Sequence, residues 1–220
     1  MKIGNIKIPE GINIEHFRIT VFGSARIQEG DPIYKDVFNL AKQIAENDMD
    51  VVTGGGPGLM QAANSGHMEG RKNNKVQSFG LNIDLPFEQE ENKHLDILKE
   101  FDLFSGRLDY FMFLSNVVVV SPGGIGTILE LFYTWQLIQV HHMKQIPIIL
   151  LGDDWPTLIK WMENNQVKQG LMSKSDLDTI FFADNADEVM VIIKKAHEEF
   201  LKGEHENFVT NYNQYRIDEK

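Results

Sequence analysis

The chain contains no cysteine, which excludes thiol nucleophiles, thiolate metal sites and disulfides, and fits a reducing cytosol. It has no long apolar run. The most apolar stretch, Phe111–Val120, is broken by Ser115 and Asn116 and is far too short to cross a bilayer. Met1–Glu15 lacks the basic start and apolar run of a secretory signal. Positive charge is in deficit, since 21 Lys+Arg against 32 Asp+Glu give a net charge of −11. Such a surface repels phosphodiester backbones, so no nucleic-acid partner is expected, and any small anionic ligand needs a local positive field. The expectation is a cytoplasmic protein with no membrane partner.

What is present is globular. The 220 residues are 42% hydrophobic and 24% charged, enough for one large core without metal or disulfide staples. Short β-branched or aromatic runs alternate with segments of helical period. Strands are predicted over Phe17–Phe22, Asp50–Thr53, Val76–Ile83, Val117–Val120, Ile146–Leu151 and Thr179–Phe182, with an extended stretch near Leu98–Phe104. Helices are predicted after Pro32 with Asp31 as cap, from about Leu59, around Arg107–Leu114, from the 123–127 turn to Val140, over Trp155–Asn164 and over Asp187–Leu201. Strands joined through helices imply right-handed crossovers. The fold class is therefore α/β, a single Rossmann-like domain with a mostly parallel sheet and helices on both faces. Residues 17–202 are assigned to that domain, 1–16 to an N-terminal extension and 203–220 to a polar tail, where Phe208, Tyr212 and Tyr215 could pack.

Two strand–glycine–helix turns stand out, Gly54-Gly55-Gly56-Pro57-Gly58 and Gly123-Gly124-Ile125-Gly126-Thr127. Glycines there allow positive φ and close backbone approach to a ligand, and the helix that follows favours a phosphate. Neither turn completes G-x-G-x-x-G, because Leu59 and Leu129 occupy the last position, and no P-loop pattern occurs. Tight strand-end turns alone would explain one such run more readily than two. Thr127 lies in the first turn of its helix, and Glu130 follows three residues later on nearly the same face. A carboxylate so close to a phosphate cradle makes sense if it faces a centre that becomes cationic; otherwise it is a helix-dipole partner. Arg107, in Phe104-Ser105-Gly106-Arg107-Leu108, places a cation at a helix start, which suggests an anionic partner, or else a surface arginine lying over the core.

These residues resemble the Lonely Guy family, cytokinin-activating phosphoribohydrolases that were earlier described as lysine decarboxylases. The hallmark P-G-G-x-G-T-x-x-E is met at every fixed position by Pro122-Gly123-Gly124-Ile125-Gly126-Thr127-Ile128-Leu129-Glu130. Val21–Arg26, Thr53–Met60 and Gly80–Gln89 resemble further blocks of its longer bacterial members. The resemblance implies hydrolysis of nucleoside 5′-monophosphates, such as AMP or cytokinin riboside monophosphates, to a free base and ribose 5-phosphate. It assigns the catalytic pair to Arg107 and Glu130 and the phosphate cradle to Gly123, Gly124, Gly126 and Thr127. Gly23, Ser24, Gly54, Gly55 and Gly56 would complete the pocket, with Pro122 and Ile125 inside the hallmark and Glu88 approaching the base. It further implies a homodimer or higher homo-oligomer and requires neither cofactor nor metal.

Leu108 stands where the family usually has lysine, Gln61 where many longer members have glutamate, Asn116 where aspartate is common, and Gln136 in place of a frequent threonine. A non-catalytic nucleotide or cofactor carrier of the same fold is the alternative that Leu108 favours. Decarboxylation would need a pocket lysine for pyridoxal phosphate, and neither glycine turn holds one. The histidines read as scattered and solvated, with His141 and His142 about 100° apart on a helix and unable to chelate together. Met60, Met68 and Met112 read as core filler.

Overall fold

The computed structural model describes residues 16–83 and 92–203. The N-terminal extension except His16, most of the tail and Glu88 lie outside them. Among the described residues, seven parallel strands form one sheet: β1 (Arg18–Phe22), β2 (Asp50–Thr53), β3 (Ser78–Ile83), β4 (Ile97–Phe101), β5 (Val117–Val120), β6 (Ile148–Leu151) and β7 (Ile180–Ala183). Six α-helices accompany them: α1 (Pro32–Glu46), α2 (Leu59–Gly70), α3 (Phe104–Leu114), α4 (Ile125–Gln139), α5 (Trp155–Met162) and α6 (Ala186–Lys202). A π-helical turn, Glu163–Val167, extends α5. Every strand pairing is parallel, where the sequence predicted a mostly parallel sheet.

Alternation along each strand divides the core in two. Ile19, Val21, Val51, Val117, Val119 and Ile149 face one layer with α1, α2 and α6. Phe22, Val52, Phe79, Val118, Val120 and Ile148 face the other with α3, α4 and α5. Strands buried on both faces read as continuous apolar runs, which is why Val117–Val120 is legible as four valines. The edge strand β4 instead alternates half-buried and exposed residues.

The strand order is β4-β3-β2-β1-β5-β6-β7. The chain winds outward from β1 in one direction and from β5 in the other, so order reverses between these two strands. Loops leaving their carboxyl ends diverge to opposite faces and leave a crevice. Register fixes where it opens, since Phe22 is level with Val120 and glycine follows both strands within three residues.

Several local expectations are corrected. Asp31 precedes α1 as predicted, but its carboxylate turns back to accept from the Gln28 N–H at 2.9 Å and does not cap the helix. Helix α3 begins at Phe104, almost a turn before Arg107. His67 is fully buried against the Met49 carbonyl, 2.9 Å away, and burial pushes it down to about 4. It is a neutral core histidine, not a solvated one. Met112 is core, whereas Met68 is exposed.

Helix α2 presses its Gly66 and Gly70 onto α1. A β-carbon would stand 2.1 Å from the Phe38 carbonyl oxygen at the first position and 2.1 Å from that of Lys42 at the second. Gly66→Ala must part the two helices, and we expect it to cost about 1–3 kcal/mol in urea unfolding. An unchanged midpoint would contradict this packing.

Candidate active site

Beyond the carboxyl ends of β1 and β5 lies a cavity of about 380 Å³. Gly23 and Ser24 follow β1, Gly54 and Gly56 follow β2, and Gly124, Gly126 and Thr127 follow β5; all of them line it. Asn82 and Ile83 enter from β3, and Phe104, Arg107 and Leu108 from α3. Leu129 and Glu130 come from α4. Three backbone-anchored links set the loops. The Ser24 N–H donates to the Pro122 carbonyl at 3.0 Å, the Leu59 N–H donates to the Ser24 carbonyl at 2.9 Å, and the Ser121 N–H donates to the Phe22 carbonyl at 2.8 Å.

The two glycine runs serve different purposes. Gly55 and Gly58 have φ of +73° and +69°, the conformation glycine tolerates best. A β-carbon on Gly58 would lie 2.4 Å from the Ser24 carbonyl oxygen. Gly54 has an ordinary φ but gives room: a β-carbon there would stand 2.8 Å from Nη2 of Arg107. In the second run no glycine has positive φ, so of the two uses the sequence allowed for glycine there, close approach is the one left. Gly123 packs on the Thr127 side chain, 2.1 Å from a built β-carbon, but Gly124 and Gly126 face open space. The fold itself does not require glycine at 124 or 126. What those positions provide is bare backbone at the start of α4, where no side chain caps the helix. Free N–H groups and the helix dipole favour an anion there.

Arg107 and Glu130 meet across the α3–α4 interface, with Nη2 to Oε1 at 3.1 Å. Both side chains are close to buried, at 13% and 12% exposure. The guanidinium lies over the Phe111 ring, 5.3 Å from its centroid. Burial pushes the Glu130 carboxyl up to about 7, and the neighbouring Arg107 charge only partly opposes this. Burial also lowers Arg107, against the attraction of Glu130. Burial thus raises the Glu130 carboxyl toward the neutral range, the direction that suits proton transfer. A second bridge joins the same helices, the Tyr133 hydroxyl donating to Asp109.

Not every residue singled out in the sequence lines the cavity, and Gly123 of the expected cradle packs on Thr127 instead. Pro122 contributes its carbonyl to Ser24, Gly55 backs onto Gly80, and Ile125 is 82% exposed. Met60, read as core filler, lines the cavity, as do Arg26, Asn82, Phe104 and Leu129. Arg26 and Met60 sit in blocks that resemble the family, and this was their only sequence signal. Asn82 sits in the Gly80–Gln89 block and shared that signal, whereas Phe104 carried none of its own. Among the described residues no lysine lines the cavity.

The sequence profile of the family described as "possible lysine decarboxylase" matches residues 60–193, and the chain belongs to this family, the Lonely Guy family. No match was found among curated proteins. Among solved structures, the chain is similar to the molybdenum cofactor binding protein from Rippkaea orientalis, with TM-score 0.60 and 20% identity over 81% of this chain and 96% of that one. It is also similar to the molybdenum cofactor carrier protein from Chlamydomonas reinhardtii, with TM-score 0.60 and 22% identity over 83% and 99%. A third similarity is to DNA processing protein A from Helicobacter pylori, with TM-score 0.51 and 17% identity over 81% and 80%. At such identities the likeness is one of fold. The decarboxylase description does not suit the cavity, because a Schiff base with pyridoxal phosphate needs a lysine that the described lining lacks.

Gly126→Ala adds a β-carbon in open space inside a helix, so it should leave stability unchanged or raise it by up to about 1 kcal/mol. It should nevertheless weaken nucleotide binding measured by calorimetry; tight binding retained would remove the cradle from Gly126. The raised Glu130 carboxyl favours the folded state below about pH 4.5, and this contribution is lost as pH rises through about 7. Glu130→Gln should therefore lose less stability between pH 5 and pH 8 than the parent chain does in paired urea titrations. An equal loss would show that Glu130 titrates normally.

Proposed function

We propose that the protein is a nucleoside 5′-monophosphate phosphoribohydrolase acting on AMP or related adenine nucleotides, including cytokinin riboside monophosphates. The observation that carries this reading is the placement of the bare start of α4 and the Arg107–Glu130 pair in one cavity. The phosphate sits on the N–H groups at Gly124 and Gly126 with Thr127. The ribose then extends over the first turn of α4 toward Glu130.

Cleavage breaks the bond between C1′ and the base nitrogen and leaves positive charge on the ribose ring. The Glu130 carboxylate stabilises that charge and takes a proton from the water that adds to C1′. Arg107 holds the substrate and supports the departing base, which leaves with the bonding electron pair and ends with the proton that Glu130 took from the water. The products are free base and ribose 5-phosphate. Arg107 also keeps Glu130 partly ionised in a buried place that would otherwise protonate it.

The working unit is proposed to be a homodimer or higher homo-oligomer. Ile125 and Leu129 on α4, with Leu103 and Phe104 before and in α3, expose apolar surface at the rim of the site, and a helix apolar on nearly all sides calls for cover. A fully active monomer in sedimentation analysis would overturn this. The carrier reading, favoured by Leu108 among the cavity walls, predicts nucleotide binding without turnover.

Purified protein incubated with a panel of nucleoside 5′-monophosphates should release base and ribose 5-phosphate, detected by chromatography, and the matching nucleosides should not react. Glu130→Gln should lower kcat by about 10²–10³-fold. Because ionised Glu130 is the working form, kcat/KM should rise with pH through about 7. Binding of every monophosphate without any base release would establish the carrier instead.

A further inference from the structure

We propose that Arg26 grips the substrate's phosphate and gives the site its preference for phosphomonoesters over nucleosides. This inference rests on the function proposed above and adds a residue to it. The titratable side chains that line the cavity among the described residues are Arg26, Arg107 and Glu130. Arg107 is nearly buried and already engaged with Glu130 at 3.1 Å. Leu108, next to it, is apolar and buried. That leaves Arg26 as the cation on the wall with no charged partner among the described residues. Its guanidinium is exposed and makes no hydrogen bond or ion pair with any described residue.

The backbone beneath that side chain is held firmly. The Arg26 N–H donates to the Ser24 hydroxyl oxygen at 3.0 Å. Ser24 is in turn tied to both glycine turns, its N–H to the Pro122 carbonyl and its carbonyl to the Leu59 N–H. Gly58 packs directly on this loop, 2.4–2.8 Å from Ser24 and Ala25 atoms when a β-carbon is built on it. An arginine presented from such a loop gives up only its own side-chain freedom when it closes on a ligand. A planar guanidinium matches two phosphate oxygens at once. Bare N–H groups of α4 on one side and Arg26 on the other bracket a dianion, whereas a nucleoside presents neither with a charge.

The test uses Arg26→Ala and Arg26→Lys in the full chain, with calorimetry of AMP, ribose 5-phosphate and adenosine. Arg26→Ala should weaken AMP and ribose 5-phosphate about 10- to 100-fold, collapsing the ratio of AMP to adenosine affinity, with a melting temperature unchanged because the side chain is exposed. Arg26→Lys should restore part of the loss, and KM should rise far more than kcat falls. Equal AMP affinity in Arg26→Ala and the parent, or an equal loss for AMP and adenosine, overturns the role of Arg26 and leaves the proposed function standing. No AMP binding by the parent chain overturns both.

Discussion

A parallel sheet whose strands wind outward from β1 on one side and from β5 on the other must part its loops between them, and everything about the site follows from that parting. The crevice gathers the carboxyl ends of β1, β2 and β5, so the glycine turns after each face one another although far apart in sequence. The Ser24–Pro122 hydrogen bond closes the floor of the crevice. The helix α4 then starts in it, with its dipole aimed at whatever the crevice holds. The opposing helix α3 crosses the same end of the sheet and brings Arg107 to Glu130.

That ion pair is where folding and chemistry pull against each other. Two nearly buried charges cost desolvation, which their attraction only partly repays. The cost is visible in Glu130, pushed up to about 7 despite the guanidinium beside it. A pair kept only for stability would do as well with packed apolar residues. The proposed hydrolysis would use a carboxylate that gives and takes a proton near neutrality, and burial raises Glu130 in that direction. Gly54 supports the same interpretation, since it leaves space for the guanidinium. Gly124 and Gly126 do so as well, being glycine where the backbone does not demand it.

Much of this arrangement was legible in the chain, and the exceptions share a cause. The four valines of β5, the periodicity of α1 and the two glycine runs are local signals, and they locate the sheet, its helices and the crevice. Arg107 and Glu130 could be named from the hallmark motif and its resemblance, but their contact at 3.1 Å joins residues 23 apart on different helices. No local pattern carries it. The same holds for Met60, which faces the cavity while its helical period is that of a core residue. It also holds for His67, buried by the Met49 carbonyl and the layer around it. Asp31 shows the reverse case. Its type and position are those of a cap, yet the turn at Gln28 offered its carboxylate a competing N–H. Glycine roles were partly misread for a related reason: residue type shows that a side chain is absent, but not whether backbone angle, a neighbour or a ligand requires it.

The proposed hydrolysis requires phosphate on the start of α4 and the glycosidic bond over Glu130. The most direct measurement is a crystal structure of Glu130→Gln, slowed enough to retain its substrate, with AMP bound. The account predicts phosphate oxygens within hydrogen-bond distance of the Gly124 and Gly126 region, and C1′ beside the residue 130 carboxamide. A phosphate bound elsewhere, or an adenosine turned so that C1′ points away from residue 130, would contradict it.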